Sequence, residues 1–162
     1  MKAFKGVIKV MLEDIIEQYG DMVYRLALSQ TKHKSNAEDI FQEVFLRLVK
    51  NIHKLKSEKH IKYWLIRATI NRSKSLLHSS WYLHTTDMDQ TLDIECDEAL
   101  NSDIYYVVQN LPEKYRIVIH LYYYEGYSVN EIASILQTKV GTIKSQLYRA
   151  RELLRMDLEG DE

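Results

Sequence analysis

The stretch SVNEIASILQTKVGTIKSQLYRAR, residues 128–151, decides the fold of the second half of the chain. Ser128 followed three residues later by Glu131 is the pattern of a capping box, which opens a helix. A three-residue turn at 137–139 then leads into a second helix. Two helices joined by such a turn predict a helix-turn-helix, whose second helix can enter the major groove of DNA.

The second helix of this motif has one apolar face and one polar, cationic face. At about 100° per residue, the apolar side chains fall within one arc and must pack inward; they are Val140, Ile143, Leu147, Ala150 and Leu154. The opposite side can contact base edges and phosphates. The candidate residues of the motif (128–147) and of its DNA-facing side are Ser128, Glu131, Lys139, Thr142, Lys144, Ser145, Gln146 and Arg149. An ordinary helical hairpin is the alternative.

The segment AEDIFQEVFLRLVK, residues 37–50, carries a complete apolar stripe at helical spacing. Ser35 or Asn36 is its expected N-cap. Opposite the stripe lie Asp39, Gln42, Glu43 and Leu46. A leucine among acidic and amide groups suits docking onto a basic surface of another protein, although a solvated face with one stray leucine is also common.

Further helices are expected on both sides of this segment. One should cover residues 12–31, with a break near Gly20, and another residues 63–77. The latter lies in KYWLIRATINRSKSLL (62–77), where Tyr63 and Trp64 accompany four cations and no acid. Aromatic and cationic side chains together suit stacking on unpaired bases. Trp64 should nevertheless be at least partly core, because neighbouring apolar residues share its side.

Composition favours a chain of long helices and excludes several function classes. The 162 residues include 5 Gly and 1 Pro, far fewer chain-breaking residues than average. A single cysteine, Cys96, excludes an internal disulfide framework, and the six scattered histidines give no metal or catalytic signature. No membrane-spanning run or signal peptide stands out. We therefore expect a cytoplasmic, soluble protein without enzymatic activity, metal or cofactor.

The net charge of −1 conceals a segregation of charge. Residues 61–77 and 137–151 carry cations without acids, and residues 78–111 carry acids without lysine or arginine. Local field rather than net charge decides where a polyanion binds. The expected architecture is all-α, with two small helical domains at 1–78 and 102–162 joined by a flexible acidic linker at 79–101.

These segments together resemble a known family. AEDIFQEVFLRL resembles region 2.2 of bacterial RNA polymerase sigma factors, and YWLIRATINR resembles the following segment, which melts and reads the minus-ten element. The stretch LPEKYRIVIHLYYYEGYSVNEIASILQTKVGTIKSQLYRARELLR resembles region 4, the minus-thirty-five reader. The short chain, with a linker in place of a middle domain, resembles the extracytoplasmic-function group.

The resemblance implies partners and site residues. Core RNA polymerase would be bound through the β′ coiled coil, by Asp39, Gln42, Glu43 and Leu46, and through the β flap. Promoter DNA and an anti-sigma factor are the other implied partners. The minus-ten strand would be held by the loop 54–60 and the helix 61–77, through Lys56, Lys59, Lys62, Tyr63, Trp64, Arg67, Asn71, Arg72 and Lys74. Gln146 stands where this family often has arginine, so the usual minus-thirty-five sequence is not assured.

Two other functions remain open on the residues themselves. A stand-alone helix-turn-helix regulator predicts palindromic half-sites and no polymerase partner. A helical adaptor that binds only protein predicts that the 137–151 patch is inert toward DNA.

Overall fold

The computed structural model describes the backbone of residues 2–79 and 103–160, so most of the predicted linker, with Cys96, lies outside the described residues. The chain forms two compact units, Met1–Leu92 and Asp93–Glu162. Helices and their connections account for all of the described ranges, with no strand among them. The prediction of an all-α protein with two helical domains is confirmed.

Within residues 2–79, the first unit packs three long helices around one core. Helix α1 spans Lys2–Thr31 and α2 spans Lys34–Asn51; a short 3-10 turn, Ile52–Lys54, then leads to α3, Glu58–Leu77. Each of these long helices contacts the other two. Their shared core includes the fully buried side chains Leu26, Ile40, Leu48, Leu65 and Ile66.

Helix α1 runs unbroken through Gly20, so the expected break there is wrong. A glycine inside a helix costs about 1 kcal/mol relative to alanine, which the surrounding burial outweighs. Tyr19 and Val23 on either side are both buried against the rest of the unit. Gly20 therefore remains helical, and it lies where α1 passes close to Phe41 of α2.

Helix α2 begins earlier than the sequence predicts. Its N-cap is His33, rather than Ser35 or Asn36, and the His33 carbonyl accepts the first helical hydrogen bond from the Ala37 amide at 2.9 Å. The reason is the preceding turn, in which Lys32 takes a left-handed conformation with φ of 63° and starts the helix at once. The apolar stripe itself is confirmed, with Ala37, Ile40, Val44, Phe45 and Leu48 buried.

Helix α3 also begins earlier, within the predicted loop 54–60. The Ser57 hydroxyl accepts a hydrogen bond from the His60 amide at 3.1 Å and caps the helix, and Glu58 follows in its first turn. A serine followed by an acidic residue is a helix-start signal that was available in the sequence.

The part of the second unit that the structure describes, residues 103–160, contains four helices and one π-helical turn. Helix α4 spans Asp103–Gln109 and α5 spans Glu113–Ile119; α5 continues into a π-turn, His120–Tyr124. Helix α6 spans Val129–Leu136, and α7 spans Val140–Gly160. Gly126 follows the π-turn with φ of 74°, a left-handed conformation that is common just after a helix ends.

The buried Arg116 joins α4 to α5. Its Nη1 donates to the Leu111 carbonyl at 2.8 Å and to the Gln109 carbonyl at 3.4 Å, which satisfies backbone groups at the end of α4. Burial lowers the pKa of Arg116, and the nearby Glu113 acts in the opposite direction. This arginine therefore serves the fold of the unit rather than its surface.

Candidate polymerase and DNA interfaces

The turn between α6 and α7 has the geometry of a helix-turn-helix. Ser128 Oγ accepts a hydrogen bond from the Glu131 amide at 3.1 Å, so the predicted N-cap of α6 is confirmed. At the other end Gln137 adopts a left-handed conformation with φ of 54°. The Thr138 amide donates to the Ala133 carbonyl at 3.0 Å, a bond typical of a Schellman motif. These bonds fix the direction in which α7 leaves the turn.

Helix α7 has the facing predicted from its sequence. Ile143, Leu147 and Ala150 are buried, with Val140 and Leu154 half-buried at the edges. The opposite side is exposed: Lys139, Thr142, Lys144, Ser145 and Arg149 are open to solvent, and Gln146 is half-buried. This side offers hydroxyl, amide and cationic groups to a ligand, as contact with a major groove requires.

Two arginines near the end of this face have different roles. Arg149 Nη1 lies 3.3 Å from Glu152 Oε2, an exposed ion pair that leaves the guanidinium on the outer face. Arg151 instead donates from Nε to the Tyr123 hydroxyl at 2.7 Å and lies over the Tyr122 and Tyr123 rings. The basic patch 137–151 therefore presents three of its four cations outward, while Arg151 binds the π-turn of its own unit.

The four residues predicted to bind polymerase, here called the α2 strip, are exposed except at one position; they are Asp39, Gln42, Glu43 and Leu46. Asp39 and Gln42 are exposed, and Leu46 has 66% of its surface open to solvent. Glu43 is half-buried and engages two arginines: its Oε1 lies 3.1 Å from Arg47 Nη2, and its Oε2 binds Arg72 Nε on α3. The Glu43 carboxylate is therefore already neutralised within the unit.

The pair of Glu43 and Arg72 joins the two interfaces predicted for the first unit. Sequence reasoning placed Glu43 on the polymerase-binding strip and Arg72 among the minus-ten residues, as separate contacts. Their side chains lie on different helices, so nothing in the local spacing of either helix indicates the contact. The structure ties the strip to helix α3 through this ion pair.

The candidate minus-ten residues divide into groups along α3. Lys56 and Lys59 are exposed near the helix start, and the Lys59 ammonium lies 5.4 Å from the centre of the half-buried Tyr63 ring. Trp64 and Arg67 are half-buried, and Asn71 and Lys74 are exposed; by helical spacing these four share the side away from the core. By the same helical spacing, Lys62 and Arg72 point towards the other helices of their own unit.

A hydrogen-bonded glutamate fixes the start of α3 to α1. Glu58 Oε1 accepts hydrogen bonds from Gln18 Nε2 at 2.6 Å and from the Tyr19 hydroxyl at 2.9 Å. These bonds hold the pKa of Glu58 below its ordinary value. Burial, followed by the bond to Glu58, raises the pKa of Tyr19 to about 12. The contact positions the helix that carries the candidate minus-ten residues.

This contact predicts that the stability of the first unit depends on pH at both ends of the range. Because the pKa of Glu58 is lowered on folding, its contribution is present above the ordinary glutamate pKa and is lost as pH falls. Because the pKa of Tyr19 is raised from 10.0, its contribution is present below pH 10 and is lost as pH rises through about 12. Tyr19→Phe should lower the free energy of unfolding by about 0.5–1.5 kcal/mol at neutral pH. It should remove the loss of stability at high pH, and it should only reduce the loss at low pH, because Gln18 still donates to Glu58. Urea unfolding followed by circular dichroism across pH measures this; an unchanged loss of stability at high pH would show that the contact is unimportant.

The described residues contain no cluster of histidine, cysteine and acidic side chains that could hold a metal ion. Among the helices described, none combines the length and the apolar character needed to cross a membrane.

Comparison with known proteins decides the family. The family described as Sigma-70 region 2 matches residues 15–82, and the family described as Sigma-70, region 4 matches residues 102–154. The ECF RNA polymerase sigma factor SigW of Bacillus subtilis is 32% identical over 163 residues, covering 90% of this chain and 87% of the relative. The chain belongs to the extracytoplasmic-function (ECF) group of sigma factors. As such, this sigma factor is a transcription initiation factor that directs RNA polymerase to promoters.

Other relatives agree with this assignment. The sigma factor is 27% identical over 158 residues to RNA polymerase sigma factor SigV of Bacillus subtilis, covering 95% of each protein. Its fold is similar to RpoE, solved in complex with the anti-sigma factor NepR from Bartonella quintana, with a TM-score of 0.71, 22% identity and 100% of each chain covered. CnrH, solved with the cytosolic domain of CnrY, gives a TM-score of 0.72 at 18% identity, over 95% of this chain and 91% of that one.

Proposed function

We propose that this sigma factor docks on core polymerase through α2, holds the separated minus-ten strand along α3, and reads the minus-thirty-five element with α7. The observation that carries the proposal is the polar and cationic face of α7, which lies opposite the buried side chains Ile143, Leu147 and Ala150. The proposed domains are residues 1–78 and 102–162, joined by the segment 79–101.

Each DNA contact in this proposal is moderate, and polymerase combines them. Binding to a common core raises the effective concentration of the second element once the first is engaged. The exposed lysines near the start of α3 and on α7 would contact phosphates, so promoter binding should weaken steeply with salt. The sigma factor would contribute no catalytic group of its own, because the chemistry of RNA synthesis belongs to the core enzyme.

Transcription in vitro with purified core polymerase tests the proposal directly. Core enzyme with this chain should start at a specific set of genomic sites that core enzyme alone does not use. Binding to palindromic DNA without polymerase would instead favour a stand-alone regulator. Polymerase binding without any gain in start-site choice would contradict the proposal.

A regulatory partner is part of the same proposal. The similar RpoE and CnrH chains were solved with the anti-sigma factor NepR and with the cytosolic domain of CnrY, respectively. We propose that an anti-sigma factor covers this chain in the same manner, and that the chain works in the cytoplasm with the polymerase.

Arg149→Ala should weaken binding to the cognate upstream element by about 1–3 kcal/mol, because a bidentate arginine contact to a base edge contributes that much. The loss should be largest on the cognate sequence. Fluorescence anisotropy of holoenzyme on cognate and scrambled upstream DNA measures the difference.

Lys144→Ala is the matched comparison on the same exposed face. A lysine that contacts phosphate should weaken binding about equally on both sequences and reduce the salt slope by about one. If Arg149→Ala behaves in the same way as Lys144→Ala, Arg149 is a phosphate contact.

A further inference from the structure

A groove lies beside the α2 strip, between α1 and α2 of the first unit. It has a volume of about 420 Å³ and is lined by Ile16, Gly20, Asp21, Tyr24, Glu38, Phe41 and Gln42. Gln42 also belongs to the strip predicted to bind polymerase, so the groove and the strip form one continuous surface. A protein that docks on the strip can therefore reach the groove as well.

The groove combines aromatic side chains with acidic ones. Tyr24 and Phe41 are half-buried and offer ring surface, while Asp21 on α1 and Glu38 on α2 are exposed carboxylates. Within the described residues neither carboxylate takes part in a side-chain hydrogen bond or ion pair. They differ in this from Glu43, whose two oxygens are held by Arg47 and Arg72.

Gly20 lines the groove without a side chain. A Cβ atom at Gly20 would lie 3.4 Å from Phe41 Cε2 and 3.6 Å from Ile16 Cγ2, which are ordinary contact distances. Packing therefore does not require glycine here, and alanine would stabilise the interior of a helix. The residue that weakens α1 is also a lining residue of the groove that adds no side chain to it.

We propose that this groove receives an arginine side chain of the polymerase subunit that docks on α2. A guanidinium stacks on aromatic rings and forms charge-assisted hydrogen bonds with carboxylates, and this groove supplies both kinds of group. Asp21 and Glu38, rather than the neutralised Glu43, are then the acidic groups that meet the basic partner. This inference rests on the proposed function, because it names a subsite of the same docking surface.

Neutralising the two carboxylates tests the groove. The double variant Asp21→Asn, Glu38→Gln should bind core polymerase about tenfold more weakly, and its binding should depend less on salt. Both side chains are exposed, so the fold should be unaffected, as circular dichroism can verify. The matched control is Asp14→Asn, Glu17→Gln, because it also removes two exposed charges, both on α1 and outside the groove lining, and should leave affinity nearly unchanged.

A second variant closes the groove without changing charge. Gly20→Leu places an apolar side chain in the groove and should weaken core binding at least as much as the double variant. Gly20→Ala is the control for the fold. It should raise the melting temperature, which would demonstrate that α1 accepts a side chain at this position.

The outcomes separate the groove from the docking itself. If the wild-type chain binds core polymerase and Leu46→Asp abolishes binding, but the groove variant Asp21→Asn, Glu38→Gln binds as well as its matched control, the groove proposal is wrong and the proposed function stands. If the wild-type chain does not bind core polymerase at all, both are wrong.

Discussion

Ile143→Asp should unfold the second unit while the first stays folded. The Ile143 side chain is 0% exposed and sits where α7 packs against the other helices. Truncating such a side chain alone costs about 2–5 kcal/mol, and burying an unpaired carboxylate adds several more. Since domains are stable by about 5–15 kcal/mol, a unit of this small size should not survive. In the full-length chain, NMR amide signals from residues 103–160 should collapse while those of 11–79 persist.

Two substitutions on the same helix control for this effect. Thr142→Asp puts the same charge on the exposed face, so it should leave the unit folded although it lies on the predicted DNA side. Ile143→Val should cost only about 0.5–1.5 kcal/mol. If Ile143→Asp leaves the signals of the second unit dispersed, the facing assigned to α7 is wrong.

Leu46→Asp should abolish binding to core polymerase with no loss of stability. Leu46 is the most exposed large apolar side chain of the first unit among the described residues, and it is flanked on α2 by polar groups of the strip. An apolar anchor at the centre of an interface contributes about 2 kcal/mol or more, and a buried carboxylate in its place adds a desolvation cost. Co-purification with core polymerase and a Kd from anisotropy measure the loss.

Met11→Asp is the control for charge and for surface hydrophobicity. Met11 is 44% exposed, and helical spacing on α1 places it away from the groove and the strip. It should therefore leave polymerase binding near that of the wild type. Equal losses in both variants would show that added negative charge, rather than the anchor at Leu46, weakens binding.

Patterns repeated along a single helix predicted most of the architecture. The stripe from Ala37 to Leu48 and the arc from Ile143 to Ala150 are buried as their spacing indicates, because burial on a helix follows its own period. The Ser128 cap was also predictable from the sequence, because its hydrogen bond joins residues only three positions apart.

Features that depend on two helices were not predictable in the same way. The spacing of Glu43 on α2 predicts an exposed acid, but Arg72 approaches its carboxylate from α3. The sequence places Arg151 in the basic patch 137–151, and only the fold brings the Tyr123 hydroxyl within hydrogen-bond distance of Arg151. The missed start of α3 differs, because Ser57 and Glu58 carried the signal locally.

The pair of Glu43 and Arg72 has a consequence for how such a protein can diverge. A substitution of Arg72 that changes a DNA preference also removes one of the two counter-ions of Glu43, and so alters the charge of the docking helix. If Arg72 contacts the minus-ten strand as proposed, a single substitution at this position would change both promoter preference and polymerase affinity. New specificities should arise more freely at Asn71 or Lys74, where the described structure records no bond to the docking helix.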